Sequence, residues 1–427
     1  MFAGAGCQTK SCVHSVYPGA QASCLLRGHK QRGRQDAYAP ARKSFSLIGS
    51  QVSALKILQI SSAQSLGGGE RHLADLANGL AGRGHDVYVA LRPNSPLIQE
   101  LNGISSDKVT TLPLRNSLDA RSAQDLARLV RRNKIQIIHA HMARDYPLAA
   151  YAARRNPDSR LIITRHVLFS LNRLHRITLS RAARIIAVSQ AVASQLEADA
   201  SAPAEKITVV LNGIDTSRFV KARAEFNQRQ FLDRWKLPED SLLVGMVGEL
   251  TPLKGQAEFL HAALEILKQF PKTHFIIAGI DHSRGSKHRA RLEQLIAELN
   301  LTGQVRLVGW LEDLAQLYCA LDVFVSASHT ESFGLAIAEA MASGAAVVAT
   351  ETAGALELIK ARETGLLVPI GEMDKLAEAI SILLKEQDQR IRLGRAARQA
   401  ALANFSLERM IAETEEIYRV EVGKDLA

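Results

Sequence analysis

The 427-residue sequence has few cysteines, few aromatic residues and no long hydrophobic run. Four cysteines cannot make a disulfide framework for so large a chain, so we expect a reducing compartment and a cytoplasmic location. No stretch of 18 consecutive apolar residues occurs, which excludes a transmembrane helix. No C-x2-C pair is present and the 13 histidines are scattered. We therefore predict no metal site.

The sequence does contain enough apolar residues for a packed interior, and its charge is unevenly distributed. Hydrophobic residues make up 47% of the 427 positions, which predicts two sizeable domains. The net charge is +6 over residues 1–54, +9 over 55–220 and −5 over 221–427. The basic middle third suits an anionic partner, although a solvated arginine-rich surface explains it equally well. Because few aromatic residues accompany these cations, we expect no nucleic-acid partner.

Short apolar runs alternate with amphipathic segments from Leu55 onward. A strand at 55–60, a helix at 70–82 and a strand at 86–90 form a βαβ unit, whose crossover should be right-handed. The series restarts at Leu242, and its strands are nearly continuous apolar runs, as in parallel sheets covered on both faces. We predict an α/β fold of two Rossmann-like, doubly wound parallel-sheet domains that face a central cleft.

The predicted organisation has four parts. Residues 1–54 lack any periodicity, and we expect a disordered basic tail or a start codon assigned too far upstream. Residues 55–215 make the first domain and residues 216–403 the second, separated by turn residues and a charged stretch. Residues 404–427 contain a C-terminal helix with a serine at its N-cap.

The densest polar segment follows the strand at 323–325, at the sheet edge where ligands bind in open α/β folds. The predicted first residues of the next helix are Ser332, Phe333, Gly334 and Leu335. Their backbone amides lack intrahelical partners and are suited to an anion such as a phosphate. Glu331 and Glu339 would lie about 12 Å apart along the helix axis, and such a spacing suits hydroxyls at opposite ends of an elongated ligand.

This E-x7-E pattern resembles the signature of retaining glycosyltransferases with the two-domain GT-B fold, in the large family 4, or group 1. Three other segments resemble the family in the same order, namely its N-terminal glycine loop, its inter-domain turn and the segment that faces the donor phosphates. These segments are Gly67–Glu70, Leu211–Asp215 with Phe219, and Gly248–Gly255. The resemblance covers residues 55 to about 422, and it implies that the C-terminal helix of residues 404–427 crosses back to the N-terminal domain.

The resemblance implies a metal-independent hexosyltransferase that moves a hexose-type sugar from a nucleoside diphosphate to a hydroxyl, with retention of configuration. UDP or GDP is the expected nucleotide, no cofactor is expected, and the acceptor would be a glycan or a lipid-linked molecule of cell-envelope polysaccharide or lipopolysaccharide synthesis. In the second domain, Glu339 would bind the ribose, Glu331 and the amides of Ser332–Leu335 would surround the sugar and diphosphate, and Lys254 would neutralise the leaving group.

In the first domain, the resemblance assigns an active-site histidine and a loop near the acceptor or phosphate. The histidine is His141, the second of the pair in His139-Ala140-His141. The loop residues are Gly67, Gly68 and Gly69, whose backbone can approach a ligand closely. The basic residues of this domain would also suit docking on the anionic inner face of a membrane.

One departure from the family pattern concerns Glu249, where most members carry an arginine. A carboxylate facing a diphosphate is repelled unless it turns away, pairs with a cation or binds a hydroxyl instead. Candidate replacement cations are Arg284, Lys287 and Arg306. Two alternatives therefore stay open beside the transferase: a catalytically weakened sugar-nucleotide-binding protein, and a nucleotide-sugar 2-epimerase of the same architecture.

Overall fold

Two parallel sheets covered by helices make up the described part of the chain. The computed structural model describes residues 53–171 and 173–424. The prediction for residues 1–54 falls almost entirely outside these ranges. Both sheets belong to one unit that begins at Ser53, and the predicted pair of parallel-sheet α/β domains is confirmed.

Within the described ranges, the first sheet has seven strands in the order β3-β2-β1-β4-β5-β6-β7. The strands are β1 (Lys56–Ser61), β2 (Asp86–Leu91), β3 (Val109–Thr111), β4 (Ile137–Ala140), β5 (Arg160–Arg165), β6 (Arg184–Ala187) and β7 (Ile207–Val209). Every neighbouring pair is parallel, and Ile57 of β1 lies between Val87 and Ile137. The central strands are buried because helices cover both faces of the sheet.

Five helices connect or cover these strands among the described residues. They are α1 (Gly68–Gly82), α2 (Ala120–Asn133), α3 (Tyr146–Arg154), α4 (Arg173–Arg181) and α5 (Gln190–Ala198). Helix α2 begins where the Asp119 carboxylate accepts a hydrogen bond from the Ser122 amide, and the Ser189 hydroxyl caps α5 in the same way.

The second sheet has six parallel strands in the order β10-β9-β8-β11-β12-β13, counted over the described residues. They are β8 (Leu242–Val247), β9 (Thr273–Ala278), β10 (Val305–Val308), β11 (Val323–Ser326), β12 (Ala346–Thr350) and β13 (Leu366–Val368). Strands β8 and β11 are adjacent although they are far apart in the chain. The loops that follow them therefore emerge side by side at the carboxyl edge of the sheet.

The helices after the first sheet pack on this second sheet or link it to the first. They are α6 (Thr216–Glu225), α7 (Gln228–Arg234), α8 (Gln256–Leu267), α9 (Lys287–Glu298), α10 (Leu314–Ala320), α11 (Leu335–Ser343), α12 (Ala353–Leu358), α13 (Met373–Lys385), α14 (Gln387–Asn404) and α15 (Leu407–Gly423). Among the described residues, no helix combines the length and hydropathy needed to cross a bilayer.

The stretch at 212–241 is more regular than the sequence indicated. It contains α6 and α7, whose N-caps are Asp215 and Asn227, whereas the sequence indicated only turn residues and a charged stretch between the domains. Phe219 of α6 is buried in the core of the second domain. The charged residues are therefore the solvent face of helices that dock by a few aromatic side chains.

The last helix, α15, returns to the first domain. The chain crosses through a short contact in which the Ile214 amide donates to the Phe405 carbonyl at 2.9 Å and the Leu407 amide donates to the Ile214 carbonyl at 2.9 Å. Ile411 then fills the space beside Gly79 of α1, where a Cβ would lie 2.1 Å from Ile411 Cδ1. Tyr418 is fully buried in the core of the first domain.

Candidate active site

The glycine loop of the first domain faces the start of α11 in the second. The loop follows β1 and ends where α1 begins at Gly68. A Cβ at Gly68 would lie only 3.0 Å from Leu335 Cδ1, so a side chain there would force Leu335 to move. The Gly67 amide donates to the Glu70 carboxylate at 3.0 Å, which holds the turn.

The start of α11 differs from the prediction by three residues. Helix α11 begins at Leu335, and Gly334 before it has a φ of 99°, in the left-handed region that favours glycine. Phe333 is buried and packs edge-on against Phe405, with ring centroids 5.9 Å apart. The prediction that Ser332, Phe333 and Gly334 are helical was therefore wrong, because the aromatic anchor and the glycine turn precede the helix.

The start of α11 can still bind an anion, but the amides available for it are those of later residues than predicted. The first intrahelical bond runs from the Ala338 amide to the Gly334 carbonyl at 3.1 Å. The amides of Leu335, Ala336 and Ile337 precede it, so they have no intrahelical partner. They lie at the positive end of the helix dipole, where a negative charge is stabilised.

Lys254 and Glu331 form an ion pair at the carboxyl edge of the second sheet. Lys254 Nζ donates to Glu331 Oε1, which also accepts from the Ser328 hydroxyl at 2.9 Å. Their side chains are 28% and 15% exposed, so the pair is accessible to a ligand but partly desolvated. The lysine is positioned by Gly255, whose φ is 72° and where a Cβ would lie 2.0 Å from the Ala327 carbonyl oxygen.

Glu339 is buried inside α11 and is contacted from both domains. Tyr318 donates its hydroxyl proton to Glu339 Oε2 at 2.9 Å, and Arg71 of the first domain lies 3.4 Å from Oε1. Burial raises the pKa of Glu339, while Arg71, the Tyr318 hydrogen bond and Arg218 oppose that rise. One oxygen of the Glu339 carboxylate is therefore hydrogen-bonded to Tyr318 of the same domain, and the other contacts the partly exposed Arg71 of the first domain.

Glu249 is exposed at the end of β8 and lies near Glu70 of the first domain. Burial raises the pKa of Glu70, and the nearby Glu249 carboxylate raises it further. Of the three cations considered as replacements for an arginine at this position, Arg306 is directed elsewhere, since its guanidinium donates to the carbonyls of Trp235 and Lys236. The Glu249 and Glu70 carboxylates thus lie close enough, one in each domain, to affect the pKa of Glu70.

Four histidines of the first domain lie together behind the glycine loop. They are His72, His139, His141 and His166. Burial lowers the pKa of His72 to about 4 and lowers the pKa of the other three well below the ordinary value, and neighbouring histidines add to the shifts of those three. The rings are therefore neutral near pH 7.

His141 has both ring nitrogens directed at protein groups. Its Nε2 lies 2.7 Å from Gln59 Oε1, and its Nδ1 lies 3.3 Å from His166 Nε2. The residue is 5% exposed. His166 lies beside the glycine loop: a Cβ added to Gly69 would be 3.5 Å from the His166 ring. The sequence analysis singled out His141 and not His166.

One set of donor atoms in the described residues has the chemistry of a metal site. Ring nitrogens of His72, His141 and His166 all lie within 4.8 Å of one another, and three imidazoles are ligands that Zn²⁺ accepts. Tetrahedral coordination would bring such nitrogens to roughly 3.4 Å apart, so the rings would have to move. Burial lowers the pKa of His166, and Arg165 contributes to that shift. The predicted absence of a metal site stays a prediction.

The structure brings the predicted residues of the two domains together and adds others. The glycine loop, Lys254, Glu331, Leu335 and Glu339 lie at the facing edges, while Phe333 belongs to the core. The residues that the sequence did not indicate are Arg71, Tyr318, Gln59, His166 and Tyr418. His166 directly follows β5, so its position at a strand's carboxyl end was the available signal. Arg71 lies in the first turn of α1, after the glycine loop.

Two family models match the chain, one for each domain. The model described as Glycosyltransferase Family 4 matches residues 66–218, and the model described as Glycosyl transferases group 1 matches residues 227–400. The chain belongs to this glycosyltransferase family. The epimerase alternative is therefore not favoured, since the matches and the relatives below are glycosyltransferases.

Among relatives of this glycosyltransferase, the D-inositol 3-phosphate glycosyltransferase of Corynebacterium urealyticum is 31% identical over 271 residues. That match covers 62% of this chain and 60% of the relative's length. The lipopolysaccharide core biosynthesis glycosyltransferase LpsE of Rhizobium meliloti is 29% identical over 352 residues, 80% of this chain and 93% of LpsE.

Solved structures share the fold. A glycosyltransferase from Rickettsia africae ESF-5 superposes with a TM-score of 0.78 at 24% identity, over 87% of this chain and 99% of that one. Anabaena Alr3699/HepE in complex with UDP gives a TM-score of 0.75 at 23% identity, over 85% and 99%. At these identities the likeness concerns the fold, which is GT-B.

Proposed function

We propose that this glycosyltransferase moves a hexose-type sugar from a nucleoside diphosphate to a hydroxyl of a glycan or lipid-linked acceptor and retains the anomeric configuration. The observation that carries the proposal is the meeting of Lys254, Glu331 and the free amides of α11 at one sheet edge, opposite the glycine loop. A cation and a helix N-terminus directed at one place are suited to a departing diphosphate.

Each group at this edge has a distinct role in the proposal. Glu339 accepts hydrogen bonds from the ribose hydroxyls, and Tyr318 orients its carboxylate for that purpose. Arg71, which lies beside the same carboxylate, must yield one oxygen to the ribose or share it. Lys254 exchanges part of its contact with Glu331 for the diphosphate, and Glu331 then accepts a hydrogen bond from the transferred sugar.

The proposed route is a front-face displacement that needs no protein nucleophile. The acceptor oxygen bonds to the anomeric carbon from the side on which the diphosphate oxygen leaves, and that leaving oxygen takes the acceptor's proton. The developing charge on the diphosphate is the quantity that the protein must stabilise, and Lys254 with the α11 amides supplies this stabilisation. The facing of the two domains would limit water, and hence hydrolysis of the donor.

For the nucleotide we propose UDP first and GDP second, with no cofactor or metal ion. HepE, which shares the fold, has been crystallised with UDP and with UDP-glucose. For the acceptor, the names of the relatives favour a phosphorylated polyol or a lipopolysaccharide core glycan. The basic first domain is electrostatically suited to an acceptor of either kind, because both carry anionic groups.

We further propose that the enzyme works in the cytoplasm against the inner face of a membrane. Two apolar side chains near α4 are exposed, Phe169 at 62% and Ile177 at 53%, and the basic residues Arg176 and Arg181 lie in the same segment. Apolar side chains flanked by cations are the usual means of attachment to an anionic lipid surface. Part of the basic surface is already paired, as in the contact of Arg184 with Glu421.

A catalytically weakened sugar-nucleotide-binding protein is the second candidate, and Glu249 is the observation in its favour. The carboxylate lies on the diphosphate side of the second domain and near Glu70, where it would repel the donor. Its exposure, however, allows the side chain to turn toward solvent. Turnover of donor by the purified protein separates the two candidates.

The experiment that tests the proposal is a thermal-shift screen of the whole chain with UDP-, GDP- and ADP-sugars, followed by an assay of nucleotide release. A ligand at 100 times its Kd stabilises the folded state by about 2.7 kcal/mol. Glu339→Gln should abolish the shift produced by the nucleotide, while Glu378→Gln on the exposed face of α13 should leave it intact. Equal shifts in the two variants would contradict the proposed ribose contact.

A further inference from the structure

A series of polar side chains, most of them buried, runs from Thr164 of β5 past Tyr418 of α15 to His166 beside the glycine loop. Its members in order are Thr164, His139, Tyr418, Gln59, His141 and His166. The consecutive contacts are His139 Nε2 to Thr164 Oγ1 at 2.7 Å, Tyr418 to His139 Nδ1 at 2.5 Å, Gln59 Nε2 to Tyr418 at 3.2 Å, His141 Nε2 to Gln59 Oε1 at 2.7 Å, and His141 Nδ1 to His166 Nε2 at 3.3 Å.

We propose that these six side chains form a single directional hydrogen-bond chain through which Tyr418, on the C-terminal helix, sets the tautomers of His141 and His166 beside the glycine loop. Tyr418 is therefore a positioning residue, since it acts through other side chains and touches no substrate. Its contribution to catalysis rests on the proposed function, whereas the hydrogen-bond chain itself does not.

The direction of every hydrogen bond follows from the amide of Gln59. Its Oε1 accepts from His141, so His141 carries its proton on Nε2 and accepts at Nδ1 from His166 Nε2–H. Its Nε2 donates to Tyr418, whose hydroxyl is then free to donate to His139 Nδ1. His139 in turn carries its proton on Nε2 and donates to Thr164.

All three histidines therefore share one tautomer, with the proton on Nε2. Rotating the Gln59 amide by a half turn would reverse every donor and acceptor together and place all three protons on Nδ1. A mixture of the two forms would leave two donors or two acceptors facing each other at one of the contacts, or would make the Tyr418 oxygen accept from both neighbours and leave its buried hydroxyl proton without an acceptor.

The side chains are buried deeply enough for this constraint to hold. Gln59, His139 and Tyr418 are fully buried. Burial raises the pKa of the Tyr418 hydroxyl and lowers the pKa of His139 and His141, so the phenol stays protonated and the imidazoles stay neutral. Without charge or nearby bulk water, tautomer choice is decided by the neighbouring hydrogen bond.

The functional end of this chain is His166. Its ring faces Gly69, and its Nδ1 is buried without a hydrogen-bond partner among the described residues. The direction of the chain determines whether that nitrogen donates or accepts next to the glycine loop. Tyr418 thereby couples the docking of α15 on the first domain to the polarity of the site.

The primary test uses the full wild-type chain labelled with ¹⁵N-histidine. Long-range ¹H–¹⁵N couplings report which ring nitrogen carries the proton, and single histidine variants assign the signals. His139, His141 and His166 are expected to show the same tautomer, Nε2–H with the amide as placed. Unlike tautomers among the three would overturn the proposal without reference to any activity.

The second test compares Tyr418→Phe with Tyr146→Phe. Both tyrosines are fully buried, but the Tyr146 hydroxyl donates to the backbone carbonyl of Thr164 at 2.9 Å and lies outside the series. Tyr418→Phe should change the ring-nitrogen signals of His141 and lower kcat with little change in the KM of the donor. Tyr146→Phe should alter neither.

The outcomes separate this inference from the proposed function. His141 signals that are the same in Tyr418→Phe as in wild type would overturn the coupling through Gln59. Changed His141 signals with an unchanged kcat would overturn the positioning role of Tyr418 but would not contradict the proposed sugar transfer. If Tyr418→Phe does not fold, the histidine tautomers measured in the wild-type protein decide by themselves whether the hydrogen-bond chain is present.

Discussion

Replacing Lys254 with methionine removes one positive charge from the site and keeps a side chain of similar length. In the structure Lys254 Nζ contacts Glu331, and the lysine side chain is 28% exposed. If the leaving diphosphate occupies this place, the substitution removes a preorganised charge at the point where negative charge develops.

The expected loss of activity is much larger than the loss of stability. Removing one preorganised donor to a developing anion lowers kcat by about 10²–10³-fold. A partly exposed ion pair contributes about 1 kcal/mol or less to folding, and Glu331 keeps its hydrogen bond from Ser328. Lys254→Met should therefore unfold close to the wild-type midpoint while losing most of its turnover.

The assay is release of the nucleoside diphosphate from the donor identified by thermal shift, with kcat and KM measured separately. The matched control is Lys268→Met, which breaks a Lys–Glu pair with Glu265 in α8. The control should retain wild-type kcat. Turnover of Lys254→Met within a few-fold of this control would refute the assignment of Lys254 to the leaving group.

Two further predictions concern stability. Gly255→Ala should lower the free energy of unfolding by about 2 kcal/mol or more, because φ is 72° and the new Cβ would meet the Ala327 carbonyl oxygen. Denaturant unfolding measures this loss, and the control is Gly303→Ala, where a Cβ would meet no other atom within 4 Å. An equal effect in the two variants would contradict the prediction. The unfolded chain binds a proton at His72 near pH 6.5 but the folded chain only near pH 4, so His72 should reduce stability by about 3 kcal/mol as the pH falls through this window. His72→Gln should flatten the pH dependence and the exposed-site control His261→Gln should not.

The sequence was sufficient for the architecture because the architecture depends on local periodicity. Continuous apolar runs between amphipathic segments define parallel strands and covering helices wherever they occur. Strand β2 at Asp86–Leu91 agrees with the predicted strand at 86–90 to within one residue, and β8 begins at Leu242 as predicted. Short elements without a clear period, such as β3, α7 and α12, were missed because their positions depend on neighbours that only the folded chain supplies.

The placement of polar groups in the site depended on contacts between distant positions. The E-x7-E spacing predicted a ligand-binding helix start, but Phe333 packing on Phe405 and the positive φ of Gly334 decided that α11 begins at Leu335. Arg71 approaches Glu339, 268 positions away, and Tyr418 contacts Gln59 across 359 positions. No local pattern encodes such pairs, because they arise when two sheets and a returning helix pack together. The sequence thus determined the sheets and the residues at their edges, and the tertiary structure decided which of those residues meet.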